Sequence, residues 1–110
     1  MKGREIIRKY KAGKRNFSRV RLRRAELEGA NLRDVNLSWA YLENANLRGA
    51  NLAGANLMGA DLVKGDLREA NLNGANLCFA NLYKADVTSA QLAQARSLKG
   101  AILPEGGRHE

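Results

Sequence analysis

Cys78 and His109 are the only thiol and the only imidazole in a chain of 110 residues, and nothing arranges them for catalysis. A nucleophile needs a base within hydrogen-bond reach, and His109 stands in a polar, Gly-rich stretch far along the chain from Cys78. One Cys and one His are too few for an all-nitrogen-and-sulfur metal site, and a single Cys forms no internal disulfide. Gly3-Arg4 and Gly13-Lys14 are isolated pairs, and neither G-x-x-x-x-G-K-[ST] nor G-x-G-x-x-G occurs, so there is no phosphate cradle. Asp61, Asp66 and Asp86 occupy a slot that Asn fills elsewhere, which makes them poor general acids or bases. The chain is therefore expected to have no catalytic residue, no metal, no cofactor and no enzymatic activity. What remains is binding chemistry, through charge and through aromatic surface.

The charge is unevenly placed. Residues 1–24 hold eleven Lys and Arg against one acid, Glu5, whereas residues 25–110 hold eight Lys and Arg against ten Asp and Glu. Attraction for an anionic partner is focused at the N-terminal end. Arg15, Arg19, Arg21, Arg23 and Arg24 are the candidate anion-binding residues there. The competing reading is a solvated basic face that opposes end-to-end stacking.

What positions these residues is an internal repeat. From Phe17 to Leu92 an apolar residue recurs every five positions, giving sixteen centres, of which fourteen are Leu and the others Phe17 and Val87. Two residues before the centre (i−2), Ala occurs twelve times in sixteen; one before (i−1), Asn or Asp occurs twelve times in sixteen. The unit is Ala-(Asn/Asp)-Leu-x-x, as in Ala45-Asn46-Leu47-Arg48-Gly49. Steps of five wander around an α-helix and alternate faces along a strand. All the Leu point inward only if the chain turns once per unit, which makes a solenoid whose layers stack at roughly 4.8 Å. The Leu are then core, each contributing roughly 1.5–3 kcal/mol before entropy. Gly at i+2 suits a tight turn. The Asn and Asp read as columns that satisfy hydrogen bonds, for example Asn31, Asn51, Asn71 and Gln91.

This pattern resembles the pentapeptide-repeat family. The resemblance implies an all-β solenoid, a right-handed quadrilateral β-helix with four units per coil and about four coils here, with a short N-terminal capping α-helix. Residues 3–11 support the helix, since Ile6, Ile7 and Tyr10 form one stripe and Gly13 ends it. Tyr10-Lys11-Ala12-Gly13 followed by Asn16-Phe17-Ser18 is similar to the entry segment of many members. The expected organisation is 1–14 capping helix and turn, 15–97 β-helix, and 98–110 C-terminal cap and mobile tail. Ser97 breaks the register, and Ile102 falls back on the five-residue grid.

With four units per coil, residues twenty apart stack. Trp39, Tyr41, Met58, Val63, Cys78, Phe79 and Tyr83 then gather on one edge, a candidate protein-binding surface; the alternative is that the aromatics only shield turns. The i+2 column of the next face continues the basic end through Arg24, Lys64 and Lys84. Two readings stay open: a scaffold whose unidentified protein partner docks on the aromatic edge, which ranks first, and a binder of nucleic acid or another anionic partner through the basic end. Mimicry of DNA, known in the family, depends on an acidic rod, and this chain is basic. No apolar run approaches ~18 residues and no leader is apparent, so a cytoplasmic protein without a membrane span is expected; the C-terminal dimerisation module of the family's gyrase-targeting members is not seen, so a monomer is expected.

Overall fold

The computed structural model describes residues 1–110. One unit, Ala55 to Gly59, shows why these five residue types recur. The N–H of Ala60 bonds back to Leu57 O at 3.0 Å and closes the turn; Asn56 N–H reaches Val35 O on the preceding turn of the chain at 2.9 Å; Leu57 N–H and Gly59 N–H reach Asn76 O and Cys78 O on the following one, both at 2.8 Å. Met58 N–H has no backbone acceptor, and the Asn56 side-chain oxygen takes it at 3.1 Å. Every N–H of the unit is thus satisfied. The i−1 residue must carry a short side-chain acceptor, which is the reason for Asn or Asp.

The same pattern links residues twenty apart in parallel, from Asn16 to Asn36 to Asn56 to Asn76 and from Arg21 to Tyr41 to Asp61 to Asn81. Each unit contributes one bridging residue, so the walls are columns of single bridges. Four columns result: face 1 (centres 17, 37, 57, 77), face 2 (22, 42, 62, 82), face 3 (27, 47, 67, 87) and face 4 (32, 52, 72). Leu22 through Leu67 at the centres are fully buried, no polar residue is buried, and one cluster of 28 residues forms the core. The molecule measures 37 × 23 × 22 Å. No helix is long and apolar enough to cross a membrane.

Helix α1 (Gly3–Lys11) lies on the first layer. Ile6 is fully buried, and Ile7 and Tyr10 pack against the core. Gly3 is pressed against the backbone carbonyl of Glu26, where no side chain fits. The Tyr10 hydroxyl donates to Arg33 O at 2.6 Å, and Gly13, at φ 104°, turns the chain out of the helix.

At the other end the structure corrects the sequence reading. Residues 89–93 form a second helix, α2 (Ser89–Ala93), in which the Thr88 hydroxyl accepts from Gln91 N–H at 3.1 Å. Gln91 therefore does not extend the Asn31–Asn51–Asn71 column; its side-chain amide donates to Leu67 O and Ala70 O at 2.7 and 3.0 Å. The helix takes up one extra residue. Bridging resumes at an offset of twenty-one, Asn76 with Ser97 and Asn81 with Ile102. Ser97 and Ile102 hold the i−1 slot, and Leu98 and Leu103 are the next centres, packed against the core. The repeat shifts by one residue and continues. The segment expected as a mobile tail is hydrogen-bonded: Ile102 bridges Arg108 antiparallel, Leu103 N–H donates to Gly107 O, and His109 N–H donates to Ala101 O, the last two at 2.7 Å.

Candidate binding surface

The i+2 residue is left-handed in unit after unit. Nine non-glycine residues there, Trp39, Lys64, Phe79 and Lys84 among them, have φ between 58 and 62°. A bulky side chain is disfavoured in that region, so an aromatic at this position is a cost that local structure does not require. Trp39 and Phe79 lie on the same column two layers apart, on either side of Gly59. The Trp39 indole lies where a Cβ of Gly59 would stand, and the Phe79 ring lies likewise over Gly100. Gly59 itself has φ 67°. Gly59→Ala will therefore lower stability by about 1–3 kcal/mol, since it adds left-handed strain and displaces the indole. A thermal melt checks this, and an unchanged midpoint contradicts the Trp39 packing.

The aromatics are shared between shielding and exposure. Trp39, Tyr41, Phe79 and Tyr83 keep 46, 48, 51 and 42% of their surface accessible. Met58, Val63 and Cys78 are half-buried between them, and the Cys78 thiol donates to the Ser97 hydroxyl at 3.1 Å. Phe79 and Tyr83 lie against the C-terminal segment, at Gly100 and Gly106. Tyr41 has no such covering role.

Tyr41 stands in an i−1 slot. In its column Asp61 and Asn81 close their turns by accepting from Val63 and Tyr83 N–H, each at 3.1 Å. Arg21 and Tyr41, bridged to each other in the first two layers, cannot do this. Two consecutive layers of one column give up the turn-closing acceptor, and both replacements are groups that bind: a guanidinium and a phenol. Such departures from the local rule are where function is to be sought.

Around them lies a shallow, open cavity lined by Arg21, Arg23, Tyr41 and Glu43. One carboxylate oxygen of Glu43, Oε1, is buried and has no hydrogen-bond partner. Arg24 N–H bonds Glu43 O at 2.9 Å, and Arg19 N–H bonds Ser38 O at 2.9 Å, which seats Arg24 and Arg19 one layer from Asn44 and Trp39. Arg19 and Arg21 of the basic end thus stack beside Trp39 and Tyr41 of the aromatic edge, which joins the two sequence candidates at the corner of faces 1 and 2, while Arg24 stands on the far side of face 2.

The arginines of this surface form no ion pair. The ion pairs of the structure join Arg33 to Asp34, Arg48 to Glu69, and Arg68 to Asp66 and Asp86; none involves Arg19, Arg21, Arg23 or Arg24. On face 3 the hydrogen bond from Arg68, at 2.7 Å, holds the Asp66 carboxyl below the usual carboxylate range, and that wall is self-neutralised. Arg15 departs from expectation: its guanidinium lies over the Tyr10 ring at 3.7 Å and donates to Tyr10 O at 2.9 Å, so it fastens α1. Lys64 and Lys84 project from the i+2 column, with the Lys84 ammonium 5.4 Å from the Tyr83 ring centroid. The sequence reading missed Glu43 as part of the site; its neighbours Arg23, Val63 and Tyr83 at i+1 of face 2 gave a column but no signal of an unpaired oxygen.

A family model described as pentapeptide repeats matches residues 16–38, 36–74 and 66–96 in eight copies. Among solved structures, alr5209, a pentapeptide repeat protein from Nostoc Pcc 7120, is 41% identical, with a TM-score of 0.63 over 93% of this chain and 75% of its own. HetL, a pentapeptide repeat protein from Nostoc sp. strain PCC 7120 involved in heterocyst differentiation regulation, is 35% identical, with a TM-score of 0.31; the match covers 86% of this chain and 51% of HetL. Rfr23 from the cyanobacterium Cyanothece 51142 is 36% identical, with a TM-score of 0.35 over 64% of this chain and 52% of its own. No curated protein matches.

Proposed function

Since the chain belongs to the pentapeptide-repeat family, whose members form right-handed β-helices, we propose that it is a non-enzymatic binding scaffold. In this reading it is a quadrilateral β-helix of about four coils, capped by α1 and by the residues after α2, and it works as a monomer. Its partner is an anionic macromolecule docked at the corner of faces 1 and 2.

The sequence ranks a protein on the aromatic edge ahead of an anion at the basic end. One observation favours the anion: Arg21 and Tyr41 take the place of turn-closing residues in adjacent layers, beside arginines that form no ion pair. An aromatic edge flanked by unpaired guanidinium groups suits an anionic partner better than a neutral one. A stiff frame loses little ordering entropy on binding, so a small surface is enough for useful affinity.

Fluorescence anisotropy with three labelled polyanions, namely polyglutamate, duplex DNA and single-stranded DNA, tests the reading. At least one binds at about 50 mM salt, binding weakens steeply with salt, and Arg21→Glu with Arg23→Glu abolishes it. If none of the three binds, or the double variant binds as the parent does, the reading fails.

A further inference from the structure

The cavity beside Tyr41 carries more than charge. It combines an exposed aromatic plate, two guanidinium groups and a carboxylate, all within the four residues Arg21, Arg23, Tyr41 and Glu43. Trp39 adds a second half-exposed aromatic two residues away, across the corner. We propose that this corner binds single-stranded nucleic acid, with a base stacked on Tyr41, its phosphate held by Arg21 and Arg23, and an amino group of the base donating to the accessible side of the Glu43 carboxylate. The proposal rests on the anion-binding reading above and names its partner.

Each element has a chemical reason. Phosphates need cations that are not already neutralised, and these arginines are in none of the ion pairs. A base in a single strand has a free π-face, and stacking on aromatic side chains with arginine beside them is the sequence-tolerant mode of single-strand binding. Duplex DNA keeps its bases stacked internally and offers Tyr41 and Trp39 nothing to stack on. An acidic peptide offers charge but no ring and no amino donor. The Glu43 carboxylate, which lines the depression, selects a base with an exocyclic amino group, as a carboxylate accepts from N4 of cytosine; thymine has no such group. Arg19 and Arg24, in the same layer as Arg21 and Arg23, lengthen the cationic track.

The repeat supplies variants that leave the frame intact. Tyr41→Asn restores the turn-closing residue of the column, so the protein folds at least as stably as the parent. The test is anisotropy at low salt with labelled oligo(dC) and oligo(dT) of about twelve nucleotides, a duplex of the same length, and polyglutamate. Oligo(dC) binds most tightly, the duplex and polyglutamate bind more weakly, and Tyr41→Asn weakens oligo(dC) binding about tenfold or more while its melting midpoint does not fall. Oligo(dT) binds more weakly than oligo(dC), and Glu43→Met removes that difference.

Equal binding of duplex or polyglutamate, with Tyr41→Asn indistinguishable from the parent, overturns the proposal and leaves a general anion-binding surface standing. Oligo(dT) binding as tightly as oligo(dC) overturns the placing of a base at Glu43. If none of the probes binds, the anion-binding reading falls too.

Discussion

Leu57→Ala will cost about 2–5 kcal/mol of unfolding free energy. Leu57 is fully buried, and it lies between Leu37 above and Leu77 below in the face 1 column. Its own N–H holds Asn76 O at 2.8 Å, so the backbone cannot close over the space the side chain leaves. In a stack whose layers touch only their neighbours, a hole in the middle layer weakens two interfaces at once. Leu57→Lys puts an unpaired charge there and will prevent folding. Urea unfolding followed by circular dichroism gives the value. An unchanged midpoint for Leu57→Ala would mean that the centres do not face inward.

Deletion of residues 1–13 will make the protein associate. The deletion removes Ile6 from the core and Tyr10 from Arg33 O, and it uncovers the first layer around Leu22, Leu27 and Leu32. An open end of stacked backbone is a template for another chain. The deleted segment also carries five of the cations that keep copies apart, Lys2, Arg4, Arg8, Lys9 and Lys11, against Glu5 alone. Light scattering at increasing concentration will show growth in mass, and the melting midpoint will fall. A truncated protein that stays monomeric and equally stable would show that α1 does not close the end. Ile6→Asp is the milder companion: it keeps the segment but lifts it from the core, and it will move both readouts in the same direction.

The repeated part of the fold is legible because its cause is local. A Leu every five residues, a small residue two before it and a short amide one before it are each demanded by one unit's own hydrogen bonds and packing, so the pattern in the chain and the pattern in space coincide. α1 is legible for the same reason, since Ile6, Ile7 and Tyr10 mark its inner side and Gly13 its end. What happens after Val87 depends on a single extra residue. The grid places Ser97 at a centre and Ile102 at the next, whereas Thr88 caps a short helix and the register slides by one, so Leu98 and Leu103 do the packing. The signal was present: Thr88 and Gln91 have capping-box spacing, and Arg96-Ser97-Leu98 and Ala101-Ile102-Leu103 are units offset by one.

The pairing of residues 107–109 back onto residues 101–103 has no local pattern behind it and was not to be found in the sequence. The site was half legible. Its aromatics and arginines stood out as departures from the repeat, but whether they touched depended on which layers faced each other. The Arg21–Tyr41 bridge answers that, and the same geometry commits Arg15 to the cap and leaves Glu43 with an unpaired oxygen.

The functional account rests on the basic end and the aromatic edge being one surface. Trp39 is the only tryptophan of the chain, so intrinsic emission reports on that edge alone, while the salt dependence of binding reports on the arginines. The decisive measurement is Trp39 emission and its quenching by acrylamide during titration with single-stranded DNA at low salt. The account predicts that emission shifts and quenching falls in step with saturation, and that both changes disappear at high salt and in the Arg21→Glu, Arg23→Glu variant. Saturable, salt-sensitive binding that leaves the emission and quenching of Trp39 unchanged would contradict it.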